Sequence, residues 1–301
     1  MKIFTELNNE YKNLALALGF FDGVHRGHQA VIASAVDFAQ KNVAQSAVVT
    51  FKEHPQVLLR GCAPAYISTE ALRREKLAAL GVDLLFELDF KDFSNIYGEE
   101  YIKLLVQNFE PISISTGFNH YFGAQKSGTP ELLEKYALGY KYFKTPPVEI
   151  EGEVASSSLI RKHLAAGDIK KANALLGYNF VIESTVQDGA KLASRIGFKT
   201  ANLAYPEGLV SLPYGVYSVL ANGRPAIANF GVKPTFSGLA TVPVLEVHIL
   251  NFNENIYGEN LRIEFIDFIR HEKKFDSVED LIAQIKSDIL ACKGFYGNID
   301  V

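Results

Sequence analysis

The chain has 301 residues, of which 48% are hydrophobic and 21% charged, the make-up of a folded protein of about two domains and not of a disordered or collagen-like one. Its 30 basic and 34 acidic residues leave a net charge of −4, which argues against a protein held on nucleic acid by bulk positive charge. Only two cysteines, Cys62 and Cys292, are present and no C-x-x-C, so a zinc knuckle and a disulfide framework are excluded and both read as plain hydrophobes.

The longest apolar runs, Leu14 to Phe21 and Val82 to Phe90, are too short to cross a bilayer. The opening MKIFTELNNEYKN carries neither a basic nor an apolar leader segment, so the cytoplasm is the expected location and no membrane partner is expected.

Leu14 to Phe21 is apolar at nearly every position and reads as a buried strand. Gly27 to Lys41 has helical spacing, with Val31, Ala35 and Phe38 on one stripe. Ser46 to Phe51 is a second strand, and a helix from about Thr69 to Leu80 follows, with Thr69 as its cap. Val82 to Phe90 and Ile112 to Asn119 read as further strands, and Glu99 to Asn108 and Thr129 to Leu138 as helices. Strands alternating with helices predict βαβ units and a parallel sheet.

From about residue 180 the segments NFVIESTVQDG, GVYSVLANG, RPAIANFG, PVLEVHIL and NLRIEFIDFI are short, alternating and bounded by Gly, Pro and Asn. They predict a small antiparallel β-barrel. A last helix, about Ser277 to Lys293, places Val278, Leu281, Ile282, Ile285 and Ile289 on one side after a capping-box-like Ser277-Val-Glu-Asp. The expected architecture is α/β, a Rossmann-like parallel sheet with helices over residues 1–178, followed over 179–301 by the barrel and its C-terminal helix.

The segment GFFDGVHRGH (Gly19 to His28) stands where the first strand gives way to the first helix. In an open parallel sheet, ligands bind at the carboxyl ends of strands. A helix start there offers unpaired N–H groups and the positive end of the dipole, which suit phosphate. His25 and His28, three apart, share a face of the first turn and can donate to phosphate oxygens; the same pair also fits an ordinary cap or surface turn. The spacing is not G-x-G-x-x-G, and GAQKSG (Gly123 to Gly128) lacks the glycines of a phosphate-binding P-loop.

GFFDGVHRGH closely resembles the H-x-G-H signature of nucleotidylyltransferases, and in particular the adenylyltransferase half of the prokaryotic bifunctional riboflavin kinase/FAD synthetase family. TFKEHP (Thr50 to Pro55) resembles that family's TFxPHP, with Glu53 for the first proline. GFNHYFG (Gly117 to Gly123) resembles its G-x-[DN]-F-x-F-G, with His120 at the first Phe, and SSSLIR (Ser156 to Arg161) its SSTxIR. Read alone, SSSLIR is equally an N-cap followed by a surface arginine. The resemblance implies that FMN phosphate attacks the α-phosphorus of ATP, releasing pyrophosphate and forming FAD. It implies nucleotide-binding roles for Gly19, Phe20, Asp22, Gly23, His25, His28, Asn119, Ser156, Ser158 and Arg161, with His28 and Arg161 catalytic and Phe122 on the flavin ring.

The second half is similar to the family's riboflavin kinase in KTANL (Lys199 to Leu203), ANFGVKPTF (Ala228 to Phe236), LEVHILNF (Leu245 to Phe252) and RHEKKFDSVEDLIAQIKSD (Arg270 to Asp288). The resemblance implies Glu246 as the base that takes the riboflavin 5′-hydroxyl proton, Thr200 and Asn202 as ligands of the Mg²⁺ that accompanies ATP, and Arg270 and Phe275 against the flavin. Without it, Glu246 reads as a barrel-surface charge and Thr200 and Asn202 as turn residues. Ala193, Ser194 and Lys199 depart from the family's Gly, Arg and Pro before the kinase motif, which predicts a weakened kinase. A one-reaction FAD synthetase with a structural or flavin-binding barrel is the alternative. The oligomeric state is not legible.

Overall fold

The computed structural model describes residues 1–136, 139–187, 198–234 and 241–295. It divides into two compact units, Met1–Ser157 and Ser158–Val301.

In the first unit a six-stranded sheet has the order β1-β4-β3-β2-β5-β6 and is parallel throughout. Its strands are β1 (Lys2–Phe4), β2 (Ala15–Leu18), β3 (Ser46–Phe51), β4 (Leu84–Leu88), β5 (Ser113–Gly117) and β6 (Lys141–Thr145). The central ones are the predicted apolar runs; β2 and β4 are buried at every position, as a sheet covered on both faces requires. The edge strands β1 and β6 escaped the sequence reading, because KIF is short and KYFKT alternates charge with aromatics. On one face β2, β3 and β4 pack with α4 (Gly98–Phe109) through Leu16, Phe86, Ile102 and Phe109. Phe86 and Phe109 are fully buried, each contributing about 2–3 kcal/mol of transfer free energy. On the other face α1 (Arg26–Lys41) sets Val31, Ile32, Ala35 and Val36 against Ala15, Ala17 and Val48. The helices α2 (Gln56–Arg60), α3 (Glu70–Ala79) and α5 (Pro130–Lys135) complete the unit. Thr69 caps α3, accepting from Leu72 N at 3.2 Å.

The chain leaves β2 for β3 on one side and later returns to place β5 on the other. The carboxyl ends of β2 and β5 therefore flank a topological switch point.

The second unit is a closed antiparallel barrel, β10-β13-β12-β11-β14-β9. Its strands are β9 (Phe180–Gln187), β10 (Ala201–Ala204), β11 (Gly215–Ala221), β12 (Arg224–Pro234), β13 (Thr241–Ile249) and β14 (Asn260–His271). A small hairpin, β7 (Glu149–Ile150) with β8 (Glu153–Val154), precedes α6 (Ser157–Ala166) and α7 (Ile169–Leu176). Five of the barrel strands are the predicted ones; β10, the KTANL segment, closes the barrel by pairing with β9 and β13. The sequence reading ends the first domain at residue 178, whereas packing groups α7 with the barrel. Asn173 is the reason: its amide donates to the Phe265 carbonyl at 2.8 Å and its oxygen accepts from Phe180 N at 2.8 Å.

The last helix, α8 (Val278–Gly294), starts at Ser277, whose hydroxyl accepts from Asp280 N at 3.1 Å. Ile285, Ile289 and the buried Cys292 pack toward the barrel, while Val278 is exposed. Cys62 is exposed and Cys292 buried.

Candidate active sites

The turn after β2 is held in a conformation that the backbone does not choose freely. Phe21 (φ 58°), Gly23 (φ 75°) and Val24 (φ 35°) all lie in the left-handed region, which costs the two side-chain-bearing residues roughly 1–3 kcal/mol each. A Cβ on Gly23 would stand 2.8 Å from Ile67 Cγ2, so glycine is needed there for both space and φ. The segment 67–68 clamps the turn. The buried Asp22 carboxylate accepts from Ile67 N at 3.0 Å and Ser68 N at 3.3 Å, and Ser68 Oγ accepts from Gly23 N at 3.1 Å. Asp22, expected among the nucleotide ligands, thus spends its carboxylate on the loop's own support, as suits an anion that would repel phosphate. Asp22→Ala leaves these buried N–H groups without their acceptor, and a loss of about 2–4 kcal/mol in stability to urea is expected.

His25 is the N-cap of α1: its Nδ1 accepts from His28 N at 3.3 Å. That fixes the neutral ring's proton on Nε2. The His28 ring stacks on His25 at 3.6 Å between centroids and meets Phe21 edge-on at 5.2 Å. Two imidazoles and the first N–H groups of a 16-residue helix therefore stand together at the end of β2, an anion-seeking arrangement. Gly27 lets the chain at Ala155 come close, since a Cβ there would lie 3.2 Å from the Ala155 carbonyl oxygen. Ser157 Oγ donates to the Asp22 carbonyl at 3.2 Å, so the middle serine of SSSLIR, which sequence reasoning passed over, is itself held on the turn.

Asn119 lies just past β5, whose pairing with β2 (Ala17↔Ser115) puts the two strand ends side by side. Phe122 is half-buried and committed to packing. It lies 5.5 Å from both Tyr101 and His120, and a Cβ on Gly128 would come within 2.4 Å of its ring. Burial lowers the pKa of His120 to about 4, so at neutral pH it stacks on Phe122 as an uncharged ring. Ser158 and Arg161 occupy the first turns of α6, three apart and hence on one side of the helix; they belong to the second unit.

In the barrel, register decides which side chains meet. Asn202 of β10 and Asn229 of β12 both sit opposite Glu246 of β13, so the three share one face in a lateral row. Leu203, Leu245 and Phe230, one position along, are fully buried, which places the row on the other face, as the alternation predicts. Thr200 lies two residues before Asn202 and lines a cavity of about 240 Å³ with Lys199, Ala201, Val247 and Phe252. Lys199 donates to the Asn253 carbonyl at 3.1 Å, and its own carbonyl stands 2.8 Å from His248 Nδ1.

The profile of the FAD synthetase family matches residues 7–159, and that of riboflavin kinase residues 176–296. The curated bifunctional riboflavin kinase/FMN adenylyltransferase of Listeria monocytogenes is 35% identical over 298 residues, covering 96% of this chain and 94% of that protein. Its namesake in Escherichia coli K12 is 32% identical over 311 residues, covering 99% and 98%. This chain belongs to the bifunctional riboflavin kinase/FMN adenylyltransferase family. A solved structure described as a macrolide-efflux protein from Streptococcus pneumoniae is 32% identical with a TM-score of 0.88 over 97% of this chain and 99% of that one. Among the described residues no helix is long and apolar enough to cross a membrane.

Set beside the family's motifs, the structure brings Gly19, Phe20, Gly23, His25 and His28 together, places Asn119 at the adjoining strand end, and aligns Asn202 with Glu246. It gives Arg270 other work. Arg270 forms a bidentate pair with the buried Asp288, at 2.9 and 2.8 Å, and donates to the His271 carbonyl. Phe275 lies 5.8 Å from its guanidinium. The departures at Ala193 and Ser194 lie outside the described residues.

Proposed function

We propose that this chain makes FAD in two ATP-consuming steps: phosphorylation of riboflavin to FMN at the barrel, and adenylylation of FMN at the parallel sheet with release of pyrophosphate. The His25-capped turn at the switch point carries the second step. The phosphate of FMN is largely dianionic near neutral pH, with a second pKa of about 6, so no protein nucleophile or strong base is needed. The barrier is charge gathering on the departing pyrophosphate, and donors held in place lower it. His25 and His28 would supply imidazole N–H groups and the start of α1 backbone N–H groups. Asn119 and Ser156 would hold the nucleotide, Ser158 would add a hydroxyl and Arg161 a planar fork for phosphate oxygens.

In the first step Glu246 would accept the proton of the neutral 5′-hydroxyl. The oxygens of Thr200 and Asn202 suit the Mg²⁺ that arrives with ATP. The riboflavin kinase match spans the barrel, which supports the two-step reading over the alternative in which the barrel is only structural or flavin-binding. Incubation with Mg²⁺, ATP and either riboflavin or FMN, followed by chromatography of the flavins, tests both steps. FMN is expected to yield FAD and pyrophosphate, and riboflavin to yield FMN and then FAD. Failure to convert FMN would remove the adenylyltransferase reading; failure to convert riboflavin would restore the one-reaction alternative.

A further inference from the structure

Beneath the turn after β2 lies a charged cluster that neither half-reaction uses. Glu87, in the middle of β4, has no exposed surface, and the Arg73 side chain on α3 is 5% exposed. Glu87 accepts from Arg73 Nη2 at 3.1 Å and from Arg74 Nε at 2.8 Å, and Arg74 Nη2 also pairs with Glu87 and Glu70. Arg73 reaches upward as well. Its Nη1 donates to the Phe20 carbonyl at 3.5 Å, its Nη2 to the Phe51 carbonyl at 3.4 Å, and its guanidinium lies 4.9 Å from the Phe20 ring. One cation thus ties the turn after β2 to the end of β3, with β4 as its anchor.

Stability alone gives a poor account of this arrangement. A buried ion pair is often matched or bettered by apolar residues of similar volume. Arg73 Nε is moreover buried with no hydrogen-bond partner among the described residues, a further cost that a hydrophobe would avoid. The two carbonyls that Arg73 holds belong to Phe20, just before the strained turn, and to Phe51, the last residue of β3, the strand beside β2. Fixing Phe20 from behind holds the start of the turn that leads to His25 and the first residues of α1.

We propose that Arg73, anchored by Glu87, is a positioning residue for FMN adenylylation: it holds the histidine turn in register without touching substrate. This rests on the adenylyltransferase reading above. The test is the double variant Arg73→Met/Glu87→Leu, which removes both members of the buried pair and leaves the partly exposed Arg74 on its pair with Glu70. Its thermal midpoint is expected at or above that of the wild type, while kcat for FMN adenylylation falls about 100-fold, the scale of a misplacement of about 1 Å. Riboflavin phosphorylation, in the other unit, is expected unchanged. Amide hydrogen exchange of the peptide spanning residues 19–25 is expected to accelerate about tenfold, with β2 and β3 unchanged. A double variant with wild-type kcat overturns the proposal, whatever its exchange. So does a kcat loss that only follows a fall in the thermal midpoint, because the pair is then structural. A wild-type protein that makes no FAD defeats the adenylyltransferase reading instead, and the exchange of residues 19–25 still decides whether Arg73 holds the turn.

Discussion

Replacing His28 by alanine is expected to slow FMN adenylylation about 100- to 1000-fold while riboflavin phosphorylation continues at the wild-type rate. The size follows from what the reaction lacks. An already ionised phosphate attacks, so there is no proton to remove from the nucleophile, and catalysis consists of placing the reactants and stabilising charge on the departing pyrophosphate. A single preorganised donor in such a role is worth about 10²–10³ in kcat. His28 stacks at 3.6 Å on His25, whose Nδ1 is committed to the cap; the pair therefore sits in one orientation before substrate arrives. Alanine keeps the helix, since the capping bond uses the backbone N–H of residue 28 and not its side chain. Circular dichroism and the thermal midpoint should be unchanged, and His28→Gln, which retains an N–H donor, should recover part of the rate. Steady-state assay of FAD formation decides it: turnover near wild type in the alanine variant removes His28 from the mechanism.

What could be read in the sequence and what could not divide along one physical line. Periodicity marks the face a side chain takes, and it marked β2, β3, β4, β5 and most of the barrel because those segments bury one face or both. It marked α8 through Ser277 and its apolar side. Periodicity is silent on partners distant in the chain. Nothing in VDLLFELDF says that Glu87 meets two arginines of α3, and nothing in GFFDG says that Asp22 turns toward residues 67–68 and not toward a ligand. The KTANL segment was legible as a motif but not as the strand that closes the barrel, because four residues between turns carry too short a pattern. Arg270 and Phe122 show the converse: a motif position can be recognised while its side chain is held by local packing, against Asp288 in one case and over Gly128 in the other. The packing of α7 on the barrel was illegible for a related reason. Asn173 is an unremarkable helix residue until the fold sets it against Phe180 and the Phe265 carbonyl.

The Glu246→Gln protein is expected to lose riboflavin phosphorylation by about 10²–10⁴-fold and to keep FMN adenylylation. The contrast with His28 is chemical. Riboflavin presents a neutral alcohol, a poor nucleophile until its proton leaves, and a positioned general base contributes about that factor. Glutamine preserves the shape and the hydrogen-bonding edge of the side chain but has no basic oxygen, so it separates loss of the base from loss of packing. The register makes the substitution local. Glu246 stands between Asn202 and Asn229 on the half-buried face, and Leu245 and Val247, which fill the barrel, are untouched. Riboflavin affinity should therefore change little while kcat collapses. Glu246→Asp gives the finer reading: the base is kept but withdrawn by one methylene, a displacement on the order of 1 Å that costs about 100-fold, so its rate should fall between glutamine and wild type. A glutamine variant that phosphorylates riboflavin at the wild-type rate would assign the proton to another group, and one that loses both activities would show that Glu246 supports the fold and not the reaction.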